Sequence, residues 1–112
     1  MGAGAQLSVN DMRRAVRHPV HYSVIGEHRQ LGDLLLHICN LSQQGFMADG
    51  VLGLGRGERI TIRLPVIGQI EAHLAWATDG RAGFQFERVI RPNDLIELID
   101  KLQPNQRLRP LR

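Results

Sequence analysis

Glu58-Arg59-Ile60-Thr61-Ile62-Arg63-Leu64 alternates without interruption, Ile60, Ile62 and Leu64 facing one way and Arg59, Thr61 and Arg63 the other. Successive side chains of an extended chain point to opposite faces, so the stretch reads as a half-buried strand. Pro65 to Gly68 supplies a turn. Gln69 to Thr78 then repeats the pattern, with Ile70, Ala72, Leu74 and Trp76 on one face and Glu71 and His73 opposite. Asp79-Gly80 is a strong hairpin signal, and Ala82 to Glu87 sets Phe84 and Phe86 on one side. Trp76, Phe84 and Phe86 are expected to pack in the core beside Ile70 and Leu74.

Upstream, three further strands are expected. Val20, Tyr22 and Val24 share one parity, and Gly26 to Arg29 reads as a polar turn. The next candidate runs from about Leu31 to Cys39, where Gly32 and the turn beyond Asn40 favour strand over helix. Phe46 to Asp49 makes a short third strand, and Gly50 to Gly57 is a glycine-rich loop. Six short strands at this spacing predict an all-β barrel or sandwich, and a small barrel leaves no exposed sheet edge. The period then changes. Pro92 suits a first helical turn, Asp94 favours the positive end of the dipole, and Leu95, Leu98, Ile99 and Leu102 recur at helical spacing until Pro104. That helix is expected to lay its apolar face on a barrel opening or on a partner.

The chain has 112 residues, 43% hydrophobic and 22% charged, as expected of one folded domain. Residues 1–12 read as a flexible N-terminal arm and residues 104–112 as a flexible basic tail. The formal charge of +3 is modest, with arginines gathered near both ends. A single cysteine, Cys39, allows no internal disulfide and offers a metal no second thiol. His18, His21, His28, His37 and His73 show no ligand spacing, so neither a metal nor a cofactor is expected. The sequence carries no nucleophile elbow, P-loop or paired-carboxylate pattern, which argues against an enzyme. No apolar run is long enough for a membrane span and no signal pattern opens the chain, so no membrane insertion and a cytoplasmic location are expected.

Two polar clusters stand out. Arg13-Arg14-Ala15-Val16-Arg17 holds guanidinium groups four apart, which in an extended segment project to one side about 13 Å apart. Alone it reads equally well as a solvated basic segment. Such groups fork onto guanine O6 and N7, pair with phosphate or stack on a purine. Asn40-Leu41-Ser42-Gln43-Gln44-Gly45 sets an amide, a hydroxyl and a bare backbone side by side, and it also reads as a plain polar turn. Asn40 can meet a base edge, Ser42 can donate to a phosphate oxygen, and Gly45 permits close approach or a conformation barred to other residues. A barrel binding single-stranded nucleic acid through arginine-rich ends is an alternative, but it wants surface aromatics that this reading does not supply.

The combination resembles the PilZ domain family. Arg13-x-x-x-Arg17 followed by Asn40-x-Ser42-x-x-Gly45 is similar to that family's two-part signature, whose second part begins with Asp or Asn. Trp76 to Phe86 looks like its penultimate hairpin, so the resemblance covers about Arg13 to Leu102, and the domain is taken as residues 13–103. It implies a six-stranded antiparallel β-barrel with a C-terminal α-helix, acting as a receptor for the bacterial second messenger cyclic di-GMP. By the resemblance, Arg13 and Arg17 engage guanines and phosphates, Arg14 adds a phosphate or stacking contact, and Asn40, Ser42 and Gly45 form the barrel-surface part of the site. The expected output is a change in arm conformation that regulates an unidentified effector protein, with a homodimer also open. A PilZ-like adaptor that binds protein but no nucleotide is the other reading.

Overall fold

The computed structural model describes residues 16–50 and 53–102. The expected arm and tail, together with Arg13 and Arg14, lie outside the described residues. Among the described residues the strands are β1 (His18–His28), β2 (Gly32–Leu41), β3 (Gly45–Asp49), β4 (Arg59–Leu64), β5 (Gly68–Thr78) and β6 (Arg81–Phe86). They close into one antiparallel barrel in the order β1-β2-β3-β6-β5-β4, with Glu27 of β1 opposite Thr61 of β4 at the closing seam. One helix, α1 (Pro92–Leu102), follows. The barrel with its C-terminal helix is the architecture expected.

The alternating faces of the last three strands are as read. Ile60, Ile62, Leu64, Ile70, Leu74, Phe84 and Phe86 are all buried. Phe84 is the largest fully enclosed side chain, and Phe46 stacks on it with ring centroids 4.9 Å apart. Each such side chain contributes about 2–3 kcal/mol by leaving water. Leu95, Leu98 and Leu102 of α1 join the same cluster. The helix therefore covers its own barrel, packing on β1, and its apolar stripe is spent there.

Two boundaries differ from expectation. β1 continues through Gly26 to His28, so the turn begins at Arg29. Gly26 is buried rather than part of a turn: a Cβ there would stand 3.0 Å from Leu36 Cδ1 and 3.1 Å from Ile60 Cδ1. Glycine is present because two core side chains meet over the backbone. β2 likewise runs past Cys39 and includes Asn40 and Leu41, leaving Ser42 to Gln44 as the turn.

Far from that turn, His28 staples the β1–β2 connection to the loop before β4. Its Nδ1 accepts the backbone N–H groups of Gln30 and Leu31 at 3.1 and 3.0 Å, which puts the ring proton on Nε2. Nε2 lies 2.6 Å from Glu58 Oε1, and Glu58 Oε2 accepts the Gly55 N–H at 3.0 Å. The Gly55 N–H, and after it His28, hold the Glu58 carboxyl below its ordinary range. A carboxylate whose folded pKa is depressed stabilises the fold above its unfolded pKa and loses that contribution as pH falls through the folded value. Unfolding midpoints should therefore drop on acidification below about pH 5, and Glu58→Gln should flatten that limb by lowering the neutral midpoint slightly while leaving the acid one unchanged. Parallel acid limbs for the two proteins would contradict this origin.

Candidate functional site

Three interruptions of the strand ladder shape one patch of the outer barrel wall. Between β1 and β2 the register shifts between Pro19 and Tyr22, where Val20 and His21 face the single residue Cys39. Between β2 and β3 it shifts between Ile38 and Asn40, and between β5 and β6 between Leu74 and Trp76. Each is a β-bulge, two residues on one strand facing one on the other. Past the bulges the pairings Pro19–Asn40, Asn40–Met47, Met47–Gly83 and Gly83–Trp76 form a continuous row across five strands.

The β5 bulge corrects the expected place of Trp76. Uninterrupted alternation would turn Trp76 inward with Leu74, but Ala75 is the extra residue, and Trp76 comes to share the outer face with Gly83. Ala82 and Phe84, on either side of Gly83, are buried in the core. The indole lies against Gly83, occupying the space a Cβ would need. Trp76 is thus half-buried on the site, not a core residue.

Asn40 reaches the same face through its own bulge. Ile38 and Leu41 are both fully buried, so the two residues between them, Cys39 and Asn40, absorb the extra step. The Asn40 amide nitrogen approaches Met47 Sδ at 3.9 Å, a weak contact, and its carbonyl oxygen has no partner among the described residues. Cys39 donates to the Met47 carbonyl at 3.4 Å. Burial first, and the nearby Asp49 charge second, push its thiol pKa up, which keeps it protonated in that bond.

The turn that follows is tightly closed. The Ser42 N–H donates to the Gly45 carbonyl at 2.9 Å, while Ser42 Oγ accepts the N–H groups of Gln44 and Gly45 at 3.1 and 3.2 Å. Ser42 as a residue is buried, and its hydroxyl proton has only a long 3.4 Å contact with the Gly45 carbonyl. Its oxygen is engaged in holding the turn, and its proton is only weakly engaged. Ser42→Ala leaves two backbone donors unpaired, so it should lower stability by about 1–2 kcal/mol, read by denaturant unfolding. An unchanged midpoint would refute that role. Gly45 does not have positive φ. Glycine is required because a Cβ would collide with the backbone carbonyl of Phe84 on β6.

Arg17, just before β1, completes the patch. It lines one shallow cleft with Asn40, Ser42, Gln44, Gly45, Met47 and Trp76. Arg17 is exposed and has no ion pair or hydrogen bond among the described residues, whereas Arg81 is committed to Asp49 at 3.4 Å. The cleft therefore combines a fork of donors and an amide carbonyl, neither engaged by the described residues, with a closed polar turn and an aromatic face. Such a set suits a planar, hydrogen-bonding, anionic molecule. The structure brings Arg17, Asn40, Ser42 and Gly45 together, and it adds Trp76, Met47 and Gln44. A glycine opposite a tryptophan across Asp79-Gly80 was the available sign that the indole lies flat on the sheet, since no side chain competes for that space.

Among the described residues no three His, Cys, Asp or Glu side chains converge as metal ligands, and no helix is long and apolar enough to cross a membrane. No protein-family model matches the sequence, and no curated protein matches it. A solved structure is similar: the PilZ domain with c-di-GMP of YcgR from Escherichia coli, with a TM-score of 0.58 and 21% identity, covering 89% of this chain and 98% of that one. The chain thus has the fold of a PilZ domain, a closed six-stranded barrel carrying one C-terminal helix.

Proposed function

We propose that the protein is a receptor for cyclic di-GMP that passes ligand occupancy to a partner protein. The observation that carries this reading is one cleft in which Arg17 and the Asn40 carbonyl, both without a partner among the described residues, and the Trp76 indole surround the Ser42–Gly45 turn. Arg17 forks onto a guanine edge or a phosphate oxygen. Asn40 accepts from a guanine N–H group, and the indole gives a purine a stacking face. Arg13 and Arg14, four and three residues before Arg17, supply further guanidinium groups to the same ligand. The similar fold of a PilZ domain solved with c-di-GMP supports the reading. Binding draws the arginine segment onto the barrel, and the surface so formed is what the partner recognises.

The test uses the only tryptophan in the chain as its reporter. Trp76 fluorescence and calorimetry are followed during titration with cyclic di-GMP, GTP and a short oligonucleotide. Selective, saturable binding of the cyclic dinucleotide is expected. Equal or tighter binding of the oligonucleotide, steeply weakened by salt, would replace this reading with a nucleic-acid one. No binding by the folded protein would leave the protein-adaptor role.

Asn40 also sets the strength of the contact. A neutral amide offers one carbonyl where a carboxylate offers two charged acceptors, and charge-assisted bonds are roughly twice as strong. Asn40→Asp should therefore tighten cyclic di-GMP binding by about tenfold. An unchanged or weaker affinity would show that Asn40 does not face the guanine donors.

A further inference from the structure

The turn that walls the cleft has a second side, and Gln43 occupies it. Ser42, Gln44 and Gly45 line the cleft, but Gln43 does not. Its side-chain amide donates to the Ile90 carbonyl at 2.9 Å, and the Gln43 backbone carbonyl accepts the Ile90 N–H at 2.9 Å. The next carbonyl, that of Gln44, accepts the Phe86 N–H at 2.8 Å. Ile90 is buried at 3% exposure, and the Leu95 N–H donates to the Arg91 carbonyl at 2.9 Å in the first turn of α1. Gln43 is therefore tied to the segment that leads into the helix and Gln44 to the end of β6, while Ser42, Gln44 and Gly45 border the ligand cleft.

We propose that Gln43 is a positioning residue that couples occupancy of the cleft to α1. The inference rests on the cyclic di-GMP reading given above. The physical reason is the reciprocity of the clamp. Two of the three bonds pass through Gln43, so α1 cannot detach with Ile90 without breaking both of them and loosening the turn that carries Ser42 and Gly45. Conversely, a ligand held by the turn opposes that release. Local openings of a folded protein have their own free energies, and a ligand raises the cost only of openings that destroy its site. Coupling is mutual, so a helix held in place by a partner would also strengthen the cleft.

Hydrogen exchange of the Ile90 and Leu95 amides, measured on the full chain with and without cyclic di-GMP, tests this. At ligand near 100 times Kd, both amides should gain about a hundredfold in protection. Gln43→Glu replaces the donor by a second acceptor facing the Ile90 carbonyl. It should bind about tenfold more weakly and, at full Trp76-reported occupancy, reduce the ligand-dependent gain at Leu95 to less than about threefold. Gln43→Lys keeps a donor and should retain most of the gain. A purely structural Gln43 would lower protection in free and bound protein alike, leaving their ratio at the wild-type value, and that result would overturn the proposal. So would a wild type whose Trp76 reports full occupancy while Leu95 exchange is unchanged. This readout needs no variant to fold. Absence of any cyclic di-GMP binding by wild type is a different failure, removing the receptor reading and this inference with it.

Discussion

Arg17→Ala should weaken cyclic di-GMP binding by about a hundredfold, corresponding to about 2.7 kcal/mol. The guanidinium is exposed on the cleft and has no partner among the described residues. Nothing in the described fold therefore competes with a ligand for its donors, and nothing there is lost when it is removed. A charged hydrogen bond contributes about 1.5–3 kcal/mol, and a bidentate one lies at the upper end of that range. Arg17→Lys keeps the charge but not the planar fork, so it should recover only part of the loss. The unfolding midpoint of both variants should match wild type within experimental error. Calorimetry beside thermal unfolding checks both halves. An affinity loss accompanied by an equal loss of stability would mean that Arg17 supports the barrel instead of the ligand. Full affinity in Arg17→Ala would move the anionic contact off this cleft wall.

Gly45→Ala should be the most damaging substitution to the fold itself. At most exposed strand positions alanine is preferred to glycine, because glycine loses more chain entropy on folding. Here the sign reverses. The added methyl would overlap the Phe84 carbonyl, a backbone atom that cannot swing away like a side-chain tip. Relief requires β3 and β6 to part where Phe46 stacks on Phe84 in the core. Overpacking of this kind costs about 3 kcal/mol, and in a domain of this size each kcal/mol shifts the melting temperature by about 4–8 °C. A fall of roughly 12–24 °C is thus expected, followed by circular dichroism. Ligand affinity at a temperature where the variant is folded should also fall, because the same displacement opens the Ser42 turn. A melting temperature within a few degrees of wild type would show that the two strands separate cheaply there. The glycine of the motif would then have to be explained by the ligand alone.

The two substitutions differ in what made their positions readable. Arg17 belongs to a local cluster whose chemistry is plain from residue type. Gly45 is equally conspicuous, but its local context suggests a positive φ or room for a ligand. The actual reason lies some forty residues away, at the carbonyl of Phe84. Ser42 shows the same division. Its type announces hydrogen bonding, while its direction, inward to the N–H groups of Gln44 and Gly45, follows from how the turn closes.

By itself the sequence determined the β-class, the short strands and the helix, because a period of two and a period of 3.6 are local properties that an unpaired segment already displays. It also determined that the core would form from Ile60, Ile62, Leu64, Ile70, Leu74, Phe84 and Phe86. Only the tertiary structure decided which residues face the cleft. A bulge belongs to a pair of strands, since its position depends on the register of both, and one extra residue turns everything beyond it to the other face. Ala75 moves Trp76 from the expected core to the outer wall in this way, and the bulge at Cys39 sets Asn40 on the surface where the sequence reading places it. The Gln43–Ile90 clamp is likewise invisible in one dimension, because it joins residues that meet only after the barrel has closed and α1 has packed across it.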